Sequence, residues 1–147
     1  MCIRDRSQYF ASQLINLEWV QPGDGTHRLF PAASDVQDGA GHVLVTTYAV
    51  LRPDRQWSLM IVNKDQENAH AVEIAFDVAG KAKSEYFAGP VSVITFGKEQ
   101  YQWHANAKGG IADPDGPAAK STINSGAGTK FTLPASSVTV IRGKIAP

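Results

Sequence analysis

The stretch VLVTTYAVLRPDRQWSLMIVN (residues 43–63) decides the fold class. Its first part, 43–51, is rich in β-branched and aromatic side chains, which suit a pleated, half-buried surface. ArgProAspArg (52–55) follows, with proline and aspartate placed for a turn. Residues 56–63 then form a second run, so 43–63 should be a β-hairpin. Because 57–62 is apolar at nearly every position, that second strand should lie centrally, covered on both faces.

Working outward, Val72, Ile74, Phe76 and Val78 alternate with Glu73, Ala75 and Asp77, the pattern of a half-buried strand. GlyPro (89–90) reads as a breaker and 91–96 as a further strand. Residues 100–104 alternate aromatic with polar side chains. Residues 105–128, rich in Gly, Ala, Pro, Asp and Ser, read as the longest loop. Two strands, 129–133 and 136–142, close the chain. On the N-terminal side a short apolar piece lies at 27–30, after a turn cluster at 22–25. Before it, Phe10, Leu14 and Leu17 recur at i, i+4, i+7 and form one apolar face of a helix. The expected class is all-β: an antiparallel β-sandwich of about seven or eight strands, Greek-key or immunoglobulin-like, preceded by one N-terminal helix.

Composition narrows function. A chain of 147 residues fits one domain with a real core. A formal net charge of +0 argues against a nucleic-acid partner, which needs clustered basic charge. No apolar run approaches the roughly 18–20 residues of a membrane span. Cys2 is the only cysteine, so an internal disulfide, a CxxC pair and a zinc cage are all out of reach. His27, His42, His70 and His104 are never three to five residues apart, so no local metal pair arises. A nucleophile elbow, a Walker A loop and a dinucleotide fingerprint are missing. AspProAspGly (113–116) sets carboxylates at i and i+2 before a glycine, as calcium loops do, but lacks their further ligands; a rigid turn is the default reading. No metal, cofactor or catalytic residue is assigned to this chain.

Three stretches carry a family resemblance: ThrTyrAlaVal (47–50), ArgProAspArgGlnTrpSerLeuMetIleValAsnLysAsp (52–65) and LeuProAlaSerSerValThrValIleArgGly (133–143). Together they resemble the C-terminal β-sandwich of clan A glycoside hydrolases, similar to families 39, 51, 30 and 44. Those enzymes join a (β/α)8 barrel to such a sandwich. The resemblance implies three parts. Residues 1–7 are a leader, residues 8–25 are the last barrel helix and a linker, and residues 26–147 are the sandwich. Met1–Arg6 also resembles a leader that recurs on proteins translated from metagenomic assemblies. The implied partner is a catalytic barrel of the same polypeptide, in a secreted or periplasmic parent, with a polysaccharide or oligosaccharide as substrate. Retaining members use two carboxylates about 5–5.5 Å apart at strand ends of the barrel. Neither motif occurs here, so no catalytic residue carries over.

The resemblance also implies site residues. Phe10, Leu14, Leu17 and Trp19 should face the barrel, leaving an open apolar patch without it. Glu18 could line the rim of the barrel's site; its default reading is a solvated carboxylate, as it is for Glu67, Glu73, Glu85 and Glu99. Tyr101 and Trp103 share one face if 100–104 is a strand, and are candidate sugar contacts, with packing as the default reading. Trp57 leads an apolar strand and should be core. Two rival readings stand beside this one. An independent carbohydrate-binding module requires Tyr101 and Trp103 exposed and coplanar. A generic immunoglobulin-like spacer requires the N-terminal helix folded back onto the sheet.

Overall fold

The structure, a computed structural model, describes residues 7–146. Helix α1 (Ser7–Gln13) continues into a π-helical segment, Leu14–Trp19. Ten strands follow: β1 (Arg28–Phe30), β2 (Val45–Leu51), β3 (Trp57–Asn63), β4 (His70–Glu73), β5 (Tyr86–Gly97), β6 (Tyr101–His104), β7 (Ile111–Asp115), β8 (Ala119–Ser125), β9 (Lys130–Leu133) and β10 (Ser137–Ala146). Six make one antiparallel sheet in the order β1-β2-β3-β10-β5-β8. β4–β9 and β6–β7 are separate two-stranded ribbons. The architecture is an all-β sandwich.

The hairpin at 43–63 forms as β2 and β3, in register from Val45↔Asn63 to Leu51↔Trp57. β3 then pairs with β10, which makes it central, as its nearly unbroken apolar run requires. Strand alternation sends side chains to two faces. On one, Leu59, Ile61, Phe87, Val91 and Ile141 meet Phe131 and Leu133 of the β9 ribbon. Trp57 joins this core between Phe30 and Phe76, with ring centroids 4.6 and 5.1 Å away. On the other face, Ile94, Phe96 and Val140, with Met60 and Val138, receive Leu14 of the N-terminal segment. The central sheet is therefore covered on both sides.

Several expectations change. Residues 105–128 are not one loop but contain β7 and β8, which raises the count to ten strands among the described residues. β8 is an edge strand whose side chains are mostly exposed, so burial left no apolar period to read. Asp113, Pro114 and Asp115 lie in β7 rather than in a turn. GlyPro at 89–90 does not break the chain: β5 runs through it, at a bulge where the register with β10 shifts between Arg142 and Lys144. A bulge tolerates both the missing proline N–H and the positive φ of Gly89. The strand expected at 72–78 stops at Glu73, and Phe76 continues only as a single bridge to Glu85. Residues 1–6, expected to be a leader and including Cys2, lie outside the described residues.

One polar side chain ties the turn after β3 to the corner before β10. Asn63 is 2% exposed, and its Nδ2 donates to the carbonyls of Asn68, Leu133 and Pro134 at 2.9–3.2 Å. Its Oδ1 accepts from the Asp65 N–H, and the Asp65 carbonyl accepts from the N–H of Ser136. Asn63→Ala removes a donor from the buried Leu133 carbonyl and from the less enclosed carbonyls of Asn68 and Pro134, and should cost about 1–3 kcal/mol in urea unfolding. The backbone N–H groups of Glu67 and Asn68, helped by the Asn68 and His70 side chains, hold the Asp65 carboxyl down to about 2. An unfolded aspartate titrates at about 4. The ionised form is thus favoured in the folded state. Its contribution is complete above about pH 4 and is lost as pH falls toward 2. The urea midpoint should drop across that window, and Asp65→Asn should flatten the drop.

Candidate functional site

The N-terminal segment is held to the sheet by an apolar contact and an ionic one. Leu14 is 2% exposed, packed with Ile94, Phe96 and Val140. The Phe10 ring lies 5.5 Å from that of Phe96 and 6.4 Å from that of Tyr101. Trp19 donates from Nε1 to the Tyr48 carbonyl at 3.2 Å. Phe10, Leu14 and Trp19 therefore do not form the open face expected of them. The second face of the sheet is itself apolar and needs a cover, and these residues supply it. Leu17 differs: it is 49% exposed, beside the exposed Ile15. The wider π winding turns it off the line of Phe10 and Leu14.

Glu18, read as solvated, is in fact enclosed. Its side chain is 12% exposed, its Oε1 pairs with Lys120, and its Oε2 accepts from Arg142 Nη1 at 3.2 Å. Its carbonyl accepts from Arg52 Nη1 at 2.9 Å and Arg142 Nη1 at 3.2 Å. Arg52 is buried and pairs with Asp54 at 3.1 Å. Burial pulls the Arg52 guanidinium below its ordinary range, and the Asp54 charge opposes that. Glu85 is buried as well, paired with Lys81 and bridged through its backbone to Phe76. Glu67, Glu73 and Glu99 are exposed as read. Sequence reasoning passed over Arg52, Arg142 and Lys120. The available signal was a cation inside a core strand, at Arg142 in SerValThrValIleArg (137–142).

Register places Arg142 opposite Ser92, and Ser92 opposite Thr122, so the three form one row across β10, β5 and β8. With Leu17, Glu18, Ile94 and Lys120 the row lines an open groove of about 560 Å³.

The two candidate sugar contacts part company. Tyr101 is half-buried and turns toward Phe10 and Phe96, 6.4 and 6.2 Å between centroids. Trp103 is 58% exposed on the β6–β7 ribbon. Its indole rests on Gly110, where a Cβ would come within 2.5 Å of Cζ2. A register irregularity separates the two residues, and only Trp103 remains open. His104 Nε2 bonds to the Asp113 carbonyl at 2.8 Å. Among the described residues, no three His, Cys, Asp or Glu side chains gather as a metal site.

No protein family model matches the chain, and no curated protein matches it. Among solved structures it is similar to the thermostable GH51 alpha-L-arabinofuranosidase from Thermotoga petrophila RKU-1. That likeness has 15% identity and a TM-score of 0.46, covering 71% of this chain and 20% of that one. It is also similar to an arabinofuranosidase at 14% identity and a TM-score of 0.47, covering 82% of this chain and 24% of that one. The chain spans between a fifth and a quarter of the length of these two structures.

The ionic contact makes unequal demands on its members. Glu18→Ala keeps the carbonyl that Arg52 and Arg142 share but removes the enclosed carboxylate that faces Arg142 and Lys120, and should cost about 1–3 kcal/mol in denaturant unfolding. Lys120 is mostly exposed, and Lys120→Ala should cost under about 1 kcal/mol.

Proposed function

We propose that this chain is the non-catalytic accessory β-sandwich of a glycoside hydrolase. It packs on and stabilises a catalytic barrel of the same polypeptide that hydrolyses O-glycosidic bonds. The observation that carries this reading is the outer side of the N-terminal segment. Leu14 and Glu18 fix that segment to the sheet, while Ile15 and Leu17 stand exposed on it. An exposed apolar pair on an otherwise anchored segment suits an interface with a further domain. The resemblance at 52–65 and 133–143 supports the same reading. Those residues build β3, β10 and the corners beside them, the centre of the sheet, so the likeness falls on scaffold rather than on a reactive site.

A specific observation favours one alternative. A generic immunoglobulin-like spacer calls for an N-terminal helix folded back on the sheet, and Phe10 and Leu14 are so placed. An independent carbohydrate-binding module is less well served, because Tyr101 is committed to the cluster with Phe10 and Phe96.

The coding DNA upstream of Gln8, recovered from an independent clone, separates the readings. The accessory role predicts a frame that continues into strand–helix alternation with an Asn-Glu pair and a second glutamate. A start codon or a signal peptide immediately before Gln8 would overturn it in favour of the spacer.

A further inference from the structure

We propose that the groove between the π-helical segment and strands β5, β8 and β10 binds a small polyhydroxylated carboxylate, of which a uronic acid is the simplest example. The inference does not rest on the accessory-domain reading. Four features of the groove point to this ligand.

The first is unspent hydrogen-bonding capacity. Arg142 uses only Nη1 on Glu18. Among the described residues its Nε and Nη2 have no protein acceptor, and the hydroxyls of Ser92 and Thr122 have no partner either. The Nε–Nη2 edge of a guanidinium is a planar fork that matches a carboxylate at two points. The second is charge. Arg142 and Lys120 face Glu18 alone, while Arg52 is offset by Asp54. The groove thus carries one surplus positive charge, and a monocarboxylate closes it. The third is geometry. Arg142, Ser92 and Thr122 form one row in register, so a ligand whose carboxylate meets Arg142 lays its hydroxyls along Ser92 and Thr122. The fourth is the wall. Leu17, which is 49% exposed, borders the groove with apolar surface suited to the C–H face of a sugar ring, and its volume of about 560 Å³ admits a monosaccharide.

The test is a two-dimensional ¹H–¹⁵N NMR titration of the full chain with sodium D-glucuronate, with D-glucose and sodium acetate as controls. Glucuronate should give saturable shifts centred on Ser92, Lys120, Thr122 and Arg142, with a Kd on the order of 1 mM. Glucose and acetate should each bind about tenfold more weakly. Lys120→Gln should weaken glucuronate about fivefold, and Thr122→Val should weaken it with acetate unchanged, because acetate carries no hydroxyl for Thr122 to meet. Both positions are exposed, so both variants should fold; Arg142 is left intact because it also holds Glu18. The proposal is overturned by glucuronate shifts that do not saturate or that centre elsewhere. Equal binding of glucose or acetate overturns it too, as does affinity unchanged in both variants.

Discussion

A sheet that is apolar on both faces needs two covers, and that requirement organises this protein. β3, β10 and β5 carry buried side chains in both phases of their alternation: Leu59, Ile61, Ile141 and Val91 toward one side, Ile94, Phe96 and Val140 toward the other. The β4–β9 ribbon covers the first side. The second would be an open hydrophobic surface without the segment Ser7–Trp19, which lays Leu14 at its centre. The protein is thus three layers: a short ribbon, a six-stranded sheet and a helical strap.

The strap's two anchors differ in kind. Leu14 supplies non-directional burial, which fixes distance from the sheet more than orientation. Glu18 supplies direction. It meets Arg142 through both carbonyl and carboxylate, and it meets Arg52 of the β2–β3 turn and Lys120 of β8. Enclosed charge is costly unless several donors converge on it, and here they do. The same convergence leaves part of Arg142 and the Ser92–Thr122 row facing a groove, so a feature that orients the strap also creates a polar recess.

Much of the sheet was legible from the sequence. The hairpin at 43–63 follows from β-branched runs around a ProAsp turn. The central place of β3 follows from its lack of alternation, and β10 from SerValThrValIleArg. What escaped was decided by tertiary context. β8 pairs through its backbone while its side chains face solvent, so Ala, Lys, Ser and Thr there look like loop. β5 passes GlyPro because a bulge absorbs it. The burial of Glu18 depends on cations from β8, β10 and the β2–β3 turn, far away in sequence. Helical spacing correctly grouped Phe10 and Leu14, but a π winding that no local pattern announces moved Leu17 out of their line. Tyr101 and Trp103 were paired by strand alternation and separated by an irregular register.

The most direct measurement of the three-layer account is amide hydrogen exchange on the full chain, read by mass spectrometry. If the strap is an integral layer, amides of Leu14–Val20 should be protected nearly as strongly as those of β10, and should lose protection together with it under mild denaturant. Exchange of Leu14–Val20 at unprotected rates, while β3, β5 and β10 stay protected, would contradict the account and mean that the second face of the sheet is covered by something else.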